Sequence, residues 1–235
     1  MQGRATLGPA FLVMKNVKLI IFDLDGTLID AYPAIVSSFN YAMSKLGYPK
    51  QNALAIRRAV GWGDENLLMP FVKKGDLNKA LIIYRKHHKK ALLAGARLFP
   101  EVRVLLARLK KEGYKLAVAT NRPTEFSLIL IRHLKLSRYF DYILCADKLK
   151  HGKPHPEIIN RIRRRFYLRP DEVIYVGDMV IDIQAGRRAK VKTIAVTGGS
   201  STWVELKKKR PCRIIQNIRA LSGILRRDKK QLTCH

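Results

Sequence analysis

The chain has 235 residues, 47% of them apolar, enough to bury a core and too many for a disordered or fibrous protein. Its 46 Lys and Arg against 18 Asp and Glu give a formal charge of +28, so the surface should attract polyanions. No apolar run approaches the roughly 20 residues of a membrane span, and Cys145, Cys212 and Cys234 show neither a zinc-site spacing nor a disulfide framework, which makes a reducing cytoplasm the expected location.

In chain order, residues 1–13 read as an N-terminal extension. Their apolar piece at 9–13 is too short for a signal peptide, and Met14 offers an alternative start. A strongly apolar strand is expected over 17–22, followed by an acidic loop. Ile35, Val36, Phe39, Ala42 and Met43 recur at helical spacing and predict a helix over 33–46. Further helices follow at 54–60, 65–73 and 78–94, broken at Gly61-Trp62-Gly63 and Gly75-Asp76, with no strand evident between 31 and 97. After Phe99-Pro100 the pattern alternates. Helices at 101–112, 124–135, 156–166 and 180–189 lead to strands at 115–119, 141–145, 173–176 and 192–196, and a short strand at 213–215 precedes a helix at 217–226.

That alternation predicts an α/β fold with a Rossmann-like parallel sheet core, interrupted straight after its first strand by an all-helical cap domain. The expected domains are the core, 14–30 with 98–235, and the cap, 31–97. Open α/β sheets bind ligands at the carboxyl ends of their strands, so an insert rooted there is placed to act as a lid.

The chemistry concentrates at those strand ends. Phe22-Asp23-Leu24-Asp25-Gly26-Thr27 closes the first strand. A lone Asp-Gly is ordinarily a turn, but two carboxylates two residues apart at a buried strand exit resist joint ionisation unless a cation compensates them. Thr120-Asn121-Arg122 ends the second core strand; its hydroxyl and amide could serve a phosphoryl-like oxygen or simply cap the next helix, where Pro123 fits the first turn. Lys153-Pro154-His155-Pro156-Glu157 holds a lysine rigidly near a helix start, where it could offset the acids. Gly177-Asp178-Met179-Val180-Ile181-Asp182 supplies a second pair of carboxylates. Acids converging without cysteines favour a hard cation held by oxygen, most simply Mg²⁺. His87-His88 lie in a basic run of the helical insert and make weak candidates for metal ligands.

The basic residues fall in short groups, such as Arg57-Arg58, Arg187-Arg188 and those at 85–90, 161–165, 207–210 and 226–230, interleaved with apolar positions as on solvated helix faces. No nucleic-acid module is recognisable. A generally basic surface is the favoured reading, with a nucleic-acid partner left open.

With these four motifs in order, the chain resembles the haloacid-dehalogenase (HAD) superfamily, in the phosphatase branch whose helical cap follows the first strand. Within it the chain most resembles phosphoglycolate-phosphatase-like proteins, through Arg58-Ala59-Val60-Gly61-Trp62-Gly63, Leu67-Leu68 and Phe99-Pro100-Glu101-Val102. Glu101 and Lys190 stand where related sequences often carry glycine. The resemblance implies Asp23 as nucleophile and Asp25 as the acid and base for the leaving group. Mg²⁺ would sit on Asp23, Asp178 and the Asp25 carbonyl. Thr120 and Asn121, with the backbone around Leu24 and Gly26, would bind the phosphoryl group. Lys153 would balance the charge, with Asp182 and Thr27 in support. The substrate implied is a small phosphate ester, phosphoglycolate first; a phosphomutase or pyrophosphatase on the same machinery, or a basic nucleic-acid-binding protein on this scaffold, is the alternative. Arg58, Trp62, Asn66 and Arg122 are the candidates to face it. Neither a membrane partner nor any particular oligomeric state is implied.

Overall fold

The computed structural model describes residues 16–230, with side chains to 225; the expected extension 1–13 and Cys234 lie outside the described residues. Six parallel strands form the main sheet: β1 (Leu19–Phe22), β4 (Lys115–Thr120), β5 (Tyr142–Cys145), β6 (Val173–Gly177), β7 (Lys192–Val196) and β8 (Arg213–Ile215). Their spatial order is β5-β4-β1-β6-β7-β8. The chain therefore builds outward from β1 to one edge, then returns to β1's other side and builds to the opposite edge. That reversal opens a crevice at the carboxyl end of β1, between β4 and β6.

Period-2 alternation divides the core into two layers. Ile20, Phe22, Leu116, Val118, Ile174 and Val176 point to the face covered by α5 (Val102–Lys111), α6 (Thr124–His133) and α10 (Ala220–Lys230). Leu19, Ile21, Ala117, Ala119 and Tyr175 point to the other, beneath α7 (Glu157–Arg165) and α8 (Val180–Arg188). Every residue of β1 and β6 is buried. Such strands read as continuous apolar runs, which is why both were legible.

Between β1 and α5 the chain makes four α-helices: α1 (Tyr32–Lys45), α2 (Ala53–Ala59), α3 (Asp64–Leu68) and α4 (Leu77–Gly95). The apolar stripes of α1 and α4 meet, burying Ile35, Phe39 and Met43 against residues such as Leu81, Tyr84 and Leu92. Asn52 caps α2 by accepting the Ala55 N–H at 2.8 Å. The predicted helix at 65–73 is shorter than expected, because Pro70 tightens residues 69–71 into a 3₁₀ turn.

Two features were not expected. A two-stranded antiparallel ribbon, β2 (Ile29–Asp30) with β3 (Arg97–Leu98), ties together the two ends of the helical insert. A short helix, α9 (Trp203–Lys208), lies between β7 and β8. Among the described residues no helix is long and apolar enough to cross a membrane.

Candidate active site

Asp23 leaves β1 with its backbone N–H still bonded to the Val176 carbonyl at 2.9 Å, which fixes the loop against β6. Leu24 then folds the chain back: its carbonyl accepts the N–H groups of Leu28 and Ile29 at 2.9 and 3.0 Å. Gly26 turns the loop at φ +79°. Any Cβ there would collide with the Asp178 carboxylate and the Tyr32 hydroxyl, so this position requires glycine for close approach as well as for conformation.

That turn delivers the Thr27 hydroxyl to Asp178 Oδ1 at 3.1 Å, while the Ser200 N–H donates to Oδ2 at 2.8 Å. Asp23, Asp178 and Asp182 are buried, and one ligand atom from each lies within 4.8 Å of the others. Lys153 enters from the loop ahead of α7. Its ammonium reaches Asp23 Oδ1 and Asp182 Oδ1 at 2.8 Å each and the Tyr175 hydroxyl at 3.0 Å, which occupies all three donors. Asp182 accepts two further hydrogen bonds: Tyr175 donates to Oδ1 at 2.8 Å, and the Met179 N–H donates to Oδ2 at 2.9 Å. Asp182 is thereby fitted to hold Lys153 and the start of α8.

The electrostatics follow from burial. Burial pushes the Asp23 carboxyl up to about 7, with Asp182 and Asp25 adding to the rise and Lys153 opposing it. Asp178 is driven well above the carboxylate range by burial and then by Asp182 and Asp23. Burial disfavours the charge on Lys153, but Asp182 and Asp23 outweigh it and its pKa rises. Among the described residues, Lys153 pairs with Asp23 and Asp182, and Arg122 with Asp25. With Asp23, Asp25, Asp178 and Asp182 all ionised, these two cations would leave two negative charges, which a divalent ion would balance. An all-oxygen donor set suits a hard one.

Arg122 forks onto Asp25, with Nε donating to Oδ2 at 2.8 Å and Nη2 to Oδ1 at 2.9 Å. Thr120 is buried at the end of β4, where its hydroxyl accepts the Arg122 N–H at 3.1 Å. The Asn121 side chain is committed to backbone. It accepts the Lys153 N–H at 2.8 Å and donates to the Lys153 and Gly61 carbonyls at 2.9 Å each, pinning the lysine loop and the insert to the end of β4.

A cleft of about 540 Å³, open mouth included, joins these groups. Asp23, Asp25, Thr120, Asn121, Arg122 and Lys153 line it from the sheet; Ile35, Val60, Leu67, Tyr84 and His88 line it from the helical insert. Of the four residues expected to face a substrate, Arg122 does. Arg58 instead reaches across to Glu205, Asn66 bonds the Trp62 carbonyl, and Trp62 is half exposed outside the lining. Sequence reasoning missed Tyr175, Ser200 and Tyr32 as partners of the acids, and His88 as a partner of Arg122. Tyr175 looks like any other core aromatic of a buried strand. His88 carried only its place in a basic run, since nothing local shows that α4 meets α6.

Residues 20–196 match the family described as haloacid dehalogenase-like hydrolase. The chain is 27% identical over 221 residues to phosphoglycolate phosphatase of Nitrosococcus oceani, covering 91% of this chain and 98% of that protein. It is 34% identical over 186 residues to phosphoglycolate phosphatase of Rhodobacter capsulatus, covering 77% and 84%. The crystal structure of a predicted phosphoglycolate phosphatase from Haemophilus somnus superposes with a TM-score of 0.86 at 26% identity, covering 90% of this chain and 99% of that one.

Proposed function

Because the chain belongs to the haloacid dehalogenase-like hydrolase family and is a phosphatase, we propose that it hydrolyses a small phosphorylated metabolite through an aspartyl-phosphate on Asp23, with phosphoglycolate as the first candidate. The observation that carries this reading is the convergence of Asp23, Thr120 and Lys153 from separate segments on one cleft at the end of β1, with Asp178 from a fourth segment beside Asp23.

In this reading Asp23 attacks phosphorus and the ester oxygen departs in line. Lys153 favours the ionised nucleophile against the burial that would protonate it. Asp25 donates a proton to the departing oxygen and later takes one from the water that hydrolyses the acyl phosphate. The Thr120 hydroxyl and the backbone N–H groups of Leu24 and Asp25 receive the phosphoryl oxygens; the Gly26 N–H, expected to join them, is instead given to the Ile29 carbonyl at 2.9 Å. Asn121 serves by holding the Lys153 loop. Asp23, Asp178 and the Asp25 carbonyl would hold Mg²⁺, which when bound would supply the charge neutralisation an anionic nucleophile needs near an anionic ester. Thr27 orients Asp178, and Asp182 orients Lys153.

Arg122 supports a substrate with a second anionic group. Three of its five N–H donors are used by Asp25 and His88, leaving two at the cleft wall for a carboxylate. In the same reading residues 31–97 act as the cap over a core of 14–30 and 98–235, consistent with the lining they contribute. The free, buried Cys145 accords with a cytoplasmic location. Turnover of a panel of phosphate esters with Mg²⁺ tests the proposal, with Asp23→Asn as the blank. Wild type should hydrolyse phosphoglycolate or a similar carboxylated ester, and Asp23→Asn should lose at least about 10³-fold. A variant retaining normal turnover would remove Asp23 as nucleophile.

A further inference from the structure

Arg122 has a third partner that the proposed chemistry leaves unused. Its Nη1 lies 2.8 Å from His88 Nε2, and His88 belongs to α4 of the helical insert, not to the sheet. His88 Nδ1 in turn lies 3.0 Å from the Ser38 hydroxyl on α1, and that hydroxyl donates to the Ala34 carbonyl at 2.8 Å. Every proton in this chain of contacts is determined. A guanidinium only donates, so His88 Nε2 accepts; the imidazole proton therefore sits on Nδ1 and is donated to Ser38, whose own proton goes to Ala34. The second histidine, His87, points Nδ1 at the same Ser38 oxygen from 3.1 Å and can donate to its other lone pair.

The ring itself has little freedom. His88 is 1% exposed, stacks on Tyr84 at 4.8 Å and meets the edge of Phe126 of α6 at 5.2 Å. Burial and the neighbouring Arg122 push its pKa down to about 2, so it stays a neutral acceptor across the physiological range.

We infer that His88 is a positioning residue: by accepting from Arg122 it holds the guanidinium in the orientation that clasps Asp25, and so ties the geometry of the general acid to the seating of the helical insert. The relay runs Ala34–Ser38–His88 on the insert to Arg122–Asp25 on the core, and the contact between His88 and Arg122 is where it crosses. Lifting α4 away from α6 would remove the acceptor and leave Arg122 free to swing off Asp25. This inference rests on the phosphatase reading for the role of Asp25, but the relay has a signature of its own.

The experiment compares wild type with His88→Ala, His88→Phe and His88→Gln in two readouts. The first is the ¹⁵N spectrum of the Arg122 guanidinium without substrate. Wild type and His88→Gln, whose amide oxygen can replace Nε2 as acceptor, should show separate, slowly rotating Nη signals. His88→Ala and His88→Phe should show them averaged. The second is steady-state turnover of whichever phosphate ester the panel identifies. Alanine and phenylalanine should lower kcat about tenfold or more with KM changed less than about threefold, and glutamine should recover most of the loss, on the scale of one hydrogen bond to a charged group. Phenylalanine keeps the ring volume, so a His88→Phe enzyme with wild-type kcat would show that the ring only fills space and would overturn the inference. Unchanged Arg122 signals in the phenylalanine variant would overturn it equally. If no ester is turned over by wild type, the phosphatase reading fails while the spectra still decide whether His88 holds Arg122.

Discussion

Lys190 shows how a single residue can carry a family's geometry while departing from its sequence. It follows α8 as the left-handed residue of a Schellman cap: its own N–H bonds the Arg187 carbonyl at 3.0 Å, and the Val191 N–H bonds Gly186 at 3.0 Å. Its φ is +59°, and Glu101, the other departure from glycine, sits at +67°. A β-carbon in that region is strained by about 1–2 kcal/mol, partly offset because glycine gives the unfolded chain more freedom. Lys190→Gly should therefore stabilise the fold by about 0.5–1 kcal/mol, raising Tm by roughly 1–4 °C. A melt in which the variant is equal to wild type or less stable would refute this. At the same scale the acids were legible because a carboxylate at the exit of a buried apolar strand is too costly to desolvate for packing alone. Arg122 could be named from Thr-Asn-Arg but not aimed, since its direction depends on His88, 34 residues earlier and on a different element.

Among the elements, those that were legible were the ones with enough residues to show a period. β1 and β6 declared themselves as apolar runs, and α1 and α4 by apolar stripes at helical spacing. The β2–β3 ribbon has two residues per strand, too few for any alternation to register. The missed helix, α9, did carry a signal, the capping box Thr202-x-x-Glu205, where Thr202 Oγ1 accepts the Glu205 N–H at 3.3 Å and Glu205 accepts the Thr202 N–H at 2.7 Å. Glu205 does more than cap. It also pairs with Arg58 of α2, one of the ties between the insert and the core. That pair, and then the Thr202 N–H, hold its carboxyl down at about 2. A carboxylate with a depressed folded pKa stabilises the fold above its unfolded value of 4.5, and the contribution disappears as pH falls from there towards 2. Glu205→Gln should therefore lose stability relative to wild type at pH 7, with the gap narrowing steadily between pH 4.5 and 2. Thermal melts of both proteins across that interval measure it. A gap that widened in acid would reverse the assigned sign.

For the whole molecule, the order of the sheet explains why motifs scattered from residue 23 to residue 182 meet. β1 lies at the centre of β5-β4-β1-β6-β7-β8, so the exits of β4, β1 and β6 are neighbours, although the chain between them spans most of the core. Charge is the other property that belongs to the molecule entire. Ion pairs are present, among them Lys18–Glu172, Arg85–Asp64 and Lys89–Glu125, but each of these has at least one well-exposed partner and is worth about 0–1 kcal/mol. Against them stands the mutual repulsion of 46 basic residues in the presence of only 18 acidic ones. Salt weakens both effects, so its net influence reveals which is larger. At about 0.01 M the Debye length is roughly 30 Å and like charges repel across the protein; at about 0.1 M it is roughly 10 Å and only near neighbours interact. Unfolding lets the basic residues move apart, so screening relieves the folded state more than the unfolded one. Raising NaCl from about 10 to 300 mM, with phosphate and divalent ions excluded so that the cleft stays empty, should therefore raise Tm by several degrees. A Tm that stayed level or fell would mean that attractive pairs outweigh the repulsion despite the excess of cations.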